Sequence, residues 1–199
     1  EERRIGSIGK PIGEVEYRIS DQSELVVKAD GCTPGYYMLP EKTAELIRDG
    51  WIYTGDKARI DDDGFIYITG RVKDYFKTIH GKFVAPVPIE GQFAQNIFVE
   101  QQCLMGRGFS KTVMICVLTE EAQSKSESEI EDSIKDSVTS INLEQEKHAH
   151  IGAIILSREA WTIENEVLTP TMKIRRDQVE ERFGIQAEDL ARSAAEVGE

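Results

Sequence analysis

The chain has 199 residues, 40% hydrophobic and 30% charged, with 16 glycines and 6 prolines. That is a globular composition for one or two domains, which excludes collagen, low-complexity chains and wholesale disorder, and no apolar run approaches the ~18 residues a membrane span needs. A formal net charge of −12 would repel a polyanion, so neither nucleic acid nor an anionic membrane surface is an expected partner.

In chain order, the first 70 residues read as strands and turns. Val15–Ile19 and Glu24–Lys28 are β-type runs separated by Asp21-Gln22-Ser23. Residues 31–35 are turn-rich, and Pro40-Glu41-Lys42-Thr43 opens a short helix that ends by Asp49-Gly50. Trp51–Tyr53 reads as a strand and Thr54-Gly55-Asp56 as a turn. Lys57–Ile60 and Phe65–Thr69 read as a hairpin around Asp61-Asp62-Asp63-Gly64. Apolar residues on both alternating sets of Phe65–Thr69 suggest a strand covered on both faces.

After Gly70-Arg71 the pattern changes. Asp74–Thr78 reads as a short strand or turn, and Pro86–Asn96 as a helix with Ile89, Phe93 and Ile97 at four-residue spacing. Val99–Met105 and Thr112–Leu118 are expected strands, and Glu127–Leu143 an amphipathic helix presenting Ile130, Ile134, Val138 and Ile141. Gly152–Leu156 is another strand, and Thr162–Thr169 carries Glu164-Asn165 at an expected hairpin tip. Arg175–Phe183 and Ala187–Val197 read as two closing helices. The whole is α+β, β-rich first and mixed afterwards.

Cys32, Cys103 and Cys116 are odd in number and widely spaced, which suits indifferent thiols in a reducing compartment rather than a disulfide framework, and no CxxC pattern suggests a metal. The acids of residues 119–147 read as a solvated helix face. The chain opens Glu1-Glu2-Arg3-Arg4 without an initiator Met or an apolar signal segment, and is expected to be a piece of a longer protein.

Three clusters could carry chemistry. Thr54-Gly55-Asp56 is a turn with a carboxylate. Arg71, Lys73, Lys77 and Lys82 crowd a stretch containing Gly70 and Gly81, a local charge inversion that suits a phosphate-bearing ligand. In Leu168-Thr169-Pro170-Thr171-Met172-Lys173-Ile174-Arg175-Arg176, Pro170 and two threonines stiffen a loop that presents Lys173 just before a helix, with ordinary surface bases behind it.

Together these clusters carry a resemblance. GSIGKPIGEVEYRI at Gly6–Ile19, GCTPGYYMLPEKTAE at Gly31–Glu45, DGWIYTGDKARIDDDGFIYITGRVKDYFKT at Asp49–Thr78, GKFVAPVPIE at Gly81–Glu90 and ENEVLTPTMKIRR at Glu164–Arg176 resemble, in order and wording, the back part of the adenylate-forming superfamily. That superfamily includes acyl-CoA synthetases, the adenylation domains of peptide synthetases and luciferases, and the wording looks most like its long-chain acyl-CoA synthetase branch. The resemblance implies a β-barrel-like subdomain over residues 1–70, a hinge at 71–73 and an α+β lid over 74–199. It implies two half-reactions: a carboxylate attacks the α-phosphate of ATP to give acyl-AMP, and the thiol of CoA then displaces AMP. By the same resemblance Asp56 holds the ribose hydroxyls of ATP or AMP, and Arg71 supports ribose and phosphate. Lys173 bridges carboxylate and α-phosphate oxygens, and Lys73 is the hinge of the lid. Lys77 and Gly81 face the site during thioester formation, while His80 is expected to be a loop histidine.

The phosphate-cradling Ser/Thr/Gly-rich loop, the magnesium-holding glutamate and most of the acyl pocket are not found in these residues. They are expected before Glu1, so no metal ligand is assigned to this chain. The missing N-terminal domain is the expected partner, and the isolated piece is expected to be inactive. The implied parent is a cytoplasmic ATP-dependent fatty acid–CoA ligase. The alternatives are an acyl-AMP ligase delivering to a carrier protein, or a non-catalytic docking module.

Overall fold

The computed structural model describes residues 3–157 and 159–196. The chain divides into two compact units, Glu1–Asp74 and Tyr75–Glu199.

The first unit contains β1 (Glu16–Ile19), β2 (Glu24–Lys28), the helix α1 (Pro40–Leu46), β3 (Ile47–Arg48), β4 (Trp51–Ile60) and β5 (Ile66–Arg71). Its strands form one antiparallel sheet in the order β1-β2-β4, with β3 and β5 also paired to β4. Ile52 pairs with both Val27 and Ile47, and Lys57 with both Glu24 and Gly70, so β3 and β5 share the β4 edge opposite β2. Among the described residues the sheet stays open and forms no closed barrel. Leu25, Ala58 and Ile66 form its small core, with Tyr17, Ile19, Val27 and Ile60 packed around them.

Two local expectations change here. The segment after α1 does not stay helical to Asp49: Ile47–Arg48 pair back on Trp51–Ile52 around Asp49 (φ 51°) and Gly50 (φ 78°). Positive φ at both loop residues is the signature of a tight two-residue hairpin. The two short runs around Thr54-Gly55-Asp56 are one continuous strand, and the supposed turn is a bulge inside it. Nor is β5 covered on both faces. Phe65 and Ile66 are buried, whereas Ile68 is 39% exposed.

The second unit opens with a small hairpin, β6 (Phe76–Lys77) and β7 (Phe83–Val84). It continues through α2 (Pro86–Phe93), β8 (Val99–Met105), β9 (Thr112–Leu118), α3 (Glu127–Glu144), β10 (Ile151–Ser157) and α4 (Arg176–Glu196). β9 is central, antiparallel to β8 and parallel to β10, and α3 makes the crossover between β9 and β10. Alternate side chains of β9 feed two cores, as strand geometry requires. Met114 and Cys116 pack with Ile89, Phe93, Ile130 and Ile134 of α2 and α3. Val113, Ile115 and Val117 pack with Val179, Ala187 and Ala191 of α4. Burial pushes the Cys116 thiol up to about 12, which makes it inert.

Helix ends follow local chemistry. Ser126 and Glu129 form a reciprocal capping box at the start of α3. α2 ends at Phe93, and Ile97 is exposed rather than continuing the apolar stripe. Residues 162–169 form turns rather than a hairpin, with Asn165 Oδ1 accepting from Thr162 N at 2.9 Å. The two closing helices are one, α4, which runs through Gly184. The expected end at Val197 lies outside the described residues.

Candidate functional site

In the first unit the bulge of β4 brings Asp56 and Arg71 together. Going from Val26↔Tyr53 to Glu24↔Lys57, β4 advances four residues while β2 advances two. The extra length is taken up at Thr54-Gly55-Asp56, where Gly55 adopts φ 75°, a conformation that favours glycine. Neighbours fix the bulge at both strands. Thr54 Oγ1 donates to Leu25 O at 2.7 Å and accepts from Asp56 N at 3.1 Å. Gly55 N donates to Glu24 Oε1 at 2.7 Å, and Val72 N donates to Gly55 O at 2.8 Å.

Asp56 pairs in register with Arg71. The Arg71 Nε stands 2.9 Å from Asp56 Oδ1, and Arg71 Nη1 reaches Thr54 O at 3.4 Å. The ion pair engages one carboxylate oxygen, so Oδ2 keeps acceptor capacity for hydroxyl groups. Both side chains reach solvent, Arg71 at 53% and Asp56 at 30% exposure. An exposed pair of this kind contributes little stability, yet its geometry is set by strand register and a braced bulge. Lys73 is exposed in the turn closed by Asp74 N donating to Arg71 O at 3.1 Å, next to the boundary between the units.

In the second unit Lys77 and Gly81 share the β6–β7 hairpin. Gly81 N donates to Thr78 O at 2.9 Å, and Gly81 has φ 74°, so this turn favours glycine for its backbone alone. His80 is an exposed residue of the same turn. The hairpin is held on the β8–β9 loop: Gly108 N donates to Lys77 O at 2.8 Å, and Ile79 N to Phe109 O at 3.0 Å. The Lys77 ammonium lies 4.6 Å from the centroid of the Phe83 ring.

Lys173 lies on a separate loop of that unit. Its side chain is exposed, but its backbone is doubly tied to Thr169. Lys173 N donates to Thr169 Oγ1 at 3.0 Å, and Thr169 N donates to Lys173 O at 2.8 Å. Met172 turns the chain with φ 61°, and Leu168 bridges Ile174. Thr169 therefore braces this loop directly, beside Pro170. Among the described residues no hydrogen bond joins it to the β6–β7 hairpin.

Arg176 is not an ordinary surface base. Its Nη2 sits 2.5 Å from Glu90 Oε2, and its Nη1 donates to Leu104 O at 3.3 Å. Glu90 Oε1 also accepts from Leu104 N at 2.6 Å. One charge pair thus ties the start of α4, three residues after Lys173, to α2 and β8. Among the described residues no cluster of three or more His, Cys, Asp or Glu side chains could hold a metal ion. No helix among them is long and apolar enough to cross a membrane.

Residues 73–194 match the family model described as the AMP-binding enzyme C-terminal domain. The chain belongs to this family of adenylate-forming enzymes and carries its C-terminal part. It is 30% identical over 204 residues to the long-chain-fatty-acid–CoA ligase FadD15 of Mycobacterium tuberculosis, covering 94% of this chain and 34% of that protein. It is 30% identical over 215 residues to fatty acyl-CoA synthetase B of Dictyostelium discoideum, covering 92% and 32%. Among solved structures it resembles the A-PCP didomain of the carboxylic acid reductase from Segniliparus rugosus, in complex with AMP. That match has a TM-score of 0.79 and 26% identity, covering 94% of this chain and 29% of the other. The chain spans about a third of the length of the curated relatives it matches.

Proposed function

We propose that this chain is the C-terminal part of an ATP-dependent fatty acid–CoA ligase acting in the cytoplasm, with a hinge at Lys73 and a lid that begins at residue 74. The observation that carries the reading is the Asp56–Arg71 pair on a bulge braced by Thr54 and Glu24. One acidic and one cationic group, 2.9 Å apart at their paired atoms, suit a ligand that carries both vicinal hydroxyls and phosphate. Asp56 accepts from the ribose hydroxyls, and Arg71 supports ribose and phosphate.

In the first half-reaction a carboxylate oxygen attacks the α-phosphorus of ATP, and pyrophosphate leaves. Negative charge gathers on the α-phosphate as an anionic nucleophile approaches. The Lys173 ammonium, presented from its braced loop, offsets both charges, a form of preorganised electrostatic catalysis. In the second, the sulfur of CoA attacks the acyl carbonyl and AMP leaves. Lys77 and Gly81 serve that step, with Lys73 absorbing the backbone rotation between the two. Magnesium assists the family's chemistry at phosphate, and its ligands are assigned to the part of the protein preceding this chain.

A second reading, an acyl-AMP ligase delivering to a carrier protein, draws support from the likeness to the A-PCP didomain. The test uses the full-length protein with a fatty acid. The proposal expects ATP–pyrophosphate exchange that depends on the acid, and thioester formation when CoA is added. The 199-residue chain alone should give neither, because positioning supplies most of such catalysis. Exchange without any transfer to CoA favours the carrier-protein reading. No exchange with any carboxylate refutes both.

A further inference from the structure

Lys77 and Phe83 are direct cross-strand partners in the β6–β7 hairpin, and the Lys77 ammonium rests 4.6 Å from the Phe83 ring centroid. Phe83 is 59% exposed, so its ring is not spent on filling a core. Its backbone is gripped from another element. His148 Nε2 lies 3.0 Å from Phe83 O, and since a carbonyl only accepts, this nitrogen carries the hydrogen. The other ring nitrogen of His148 faces Glu146 Oε2 at 3.4 Å. On the opposite strand, Lys77 O accepts from Gly108 N at 2.8 Å. Both strands of a two-residue-per-side hairpin are therefore tied to the body of the second unit. The one long flexible side chain between them has an aromatic face to lie on. A lysine free to sample all its rotamers loses conformational entropy whenever it must act at one place, and a ring beneath it reduces that loss.

We infer that Phe83 is a positioning residue for Lys77, itself anchored through its carbonyl by His148. The inference rests on the proposed role of Lys77 in thioester formation. It adds that the ammonium is delivered to that step from the Phe83 ring. Contact with an exposed aromatic is worth about a two- to fivefold change in an equilibrium or rate.

The experiment has two arms. In the 199-residue chain, proton–carbon NMR should show the Lys77 side-chain methylenes shifted upfield by the ring current of Phe83, a shift that Phe83→Leu abolishes and Phe83→Tyr keeps. In the full-length protein, Phe83→Leu should slow thioester formation from pre-made acyl-AMP and CoA about two- to fivefold, or raise KM for CoA by that factor. Adenylation should be unchanged, and Phe83→Tyr should restore the rate. In a Lys77→Ala background Phe83→Leu should add nothing. His148→Gln, which keeps a donor, should be milder than His148→Ala. An absent ring-current shift overturns the inference whatever the kinetics. So does equal loss in both half-reactions, or the same loss with and without Lys77. If Lys77→Ala alone leaves thioester formation intact while the shift is present, the role proposed for Lys77 fails and the inference falls with it.

Discussion

Asp56 and Arg71 occupy opposed register positions on β4 and β5, which places the Arg71 Nε 2.9 Å from Asp56 Oδ1. On the role proposed for it, Asp56→Ala should remove up to two charge-assisted hydrogen bonds to ribose, each worth about 1.5–3 kcal/mol. In the full-length protein the expected result is at least a tenfold rise in the dissociation constants of both ATP and AMP, measured by calorimetry. The melting temperature should change little, since the pair is exposed. A fall in melting temperature with unchanged nucleotide affinity would make Asp56 a turn residue only. Arg176 behaves in the opposite way. Breaking a fully buried ion pair costs about 3–5 kcal/mol. The Arg176 side chain retains 24% and Glu90 12% exposure, so the expected loss for Arg176→Ala is nearer ~2 kcal/mol. Denaturant unfolding of the 199-residue chain measures it, and a loss below ~0.5 kcal/mol would place the pair among ordinary surface contacts.

At the scale of elements, strands were the more legible. Val99–Met105 and Thr112–Leu118 coincide with β8 and β9. In β9, the central strand, a two-sided core requires apolar residues at nearly every position, whereas β8 is an edge strand with Glu100, Gln101 and Gln102 in its first half. Misread boundaries fall where glycine or a turn pair does unexpected work. Asp49-Gly50 closes a hairpin rather than a helix, Gly55 supplies a bulge rather than a turn, and Gly184 sits inside α4. In each case the residue type permits both outcomes: the local pairing of Ile47–Arg48 with Trp51–Ile52 decides the first, the β2–β4 register the second, and the continuity of α4 the third. The Ser126–Glu129 capping box, which the sequence reading passes over, follows a local three-residue spacing, whereas the Glu90–Arg176 pair follows none. Its partners lie far apart in sequence and no local pattern links them. Gly184 also gives a clean test. A Cβ there would meet nothing within 4 Å, and its φ is not positive. Gly184→Ala should therefore stabilise the second unit by about 0.5–1 kcal/mol through helix propensity and a less flexible unfolded chain. Thermal or denaturant unfolding reads the change. A destabilised protein would mean that α4 needs the glycine.

For the molecule as a whole, the candidate residues divide by unit: Asp56, Arg71 and Lys73 in the first, Lys77, Gly81 and Lys173 in the second. Only the family resemblance groups them, and the chemistry proposed for them depends on the lid motion proposed for the joint. Lys73 lies in the short turn Arg71–Asp74, where fixing φ restricts rotation most directly. Lys73→Pro in the full-length protein should depress one half-reaction at least tenfold more than the other. Equal losses in the two, or none, would move the hinge elsewhere.

The two-step reading of this chain is tested most directly by Lys173→Ala in the full-length protein, with each half-reaction followed separately. Lys173 is exposed and held by its backbone rather than by its side chain, so its loss should barely move the melting temperature. Removing one preorganised group aimed at developing charge typically costs about 10²–10³ in rate. Acyl-AMP formation from ATP and a fatty acid should fall by that factor, while thioester formation from pre-made acyl-AMP and CoA stays within a few-fold of wild type. A parallel fall in both steps, or no change in either, would contradict the assignment of Lys173 to adenylation and with it the alternation of the lid between two poses.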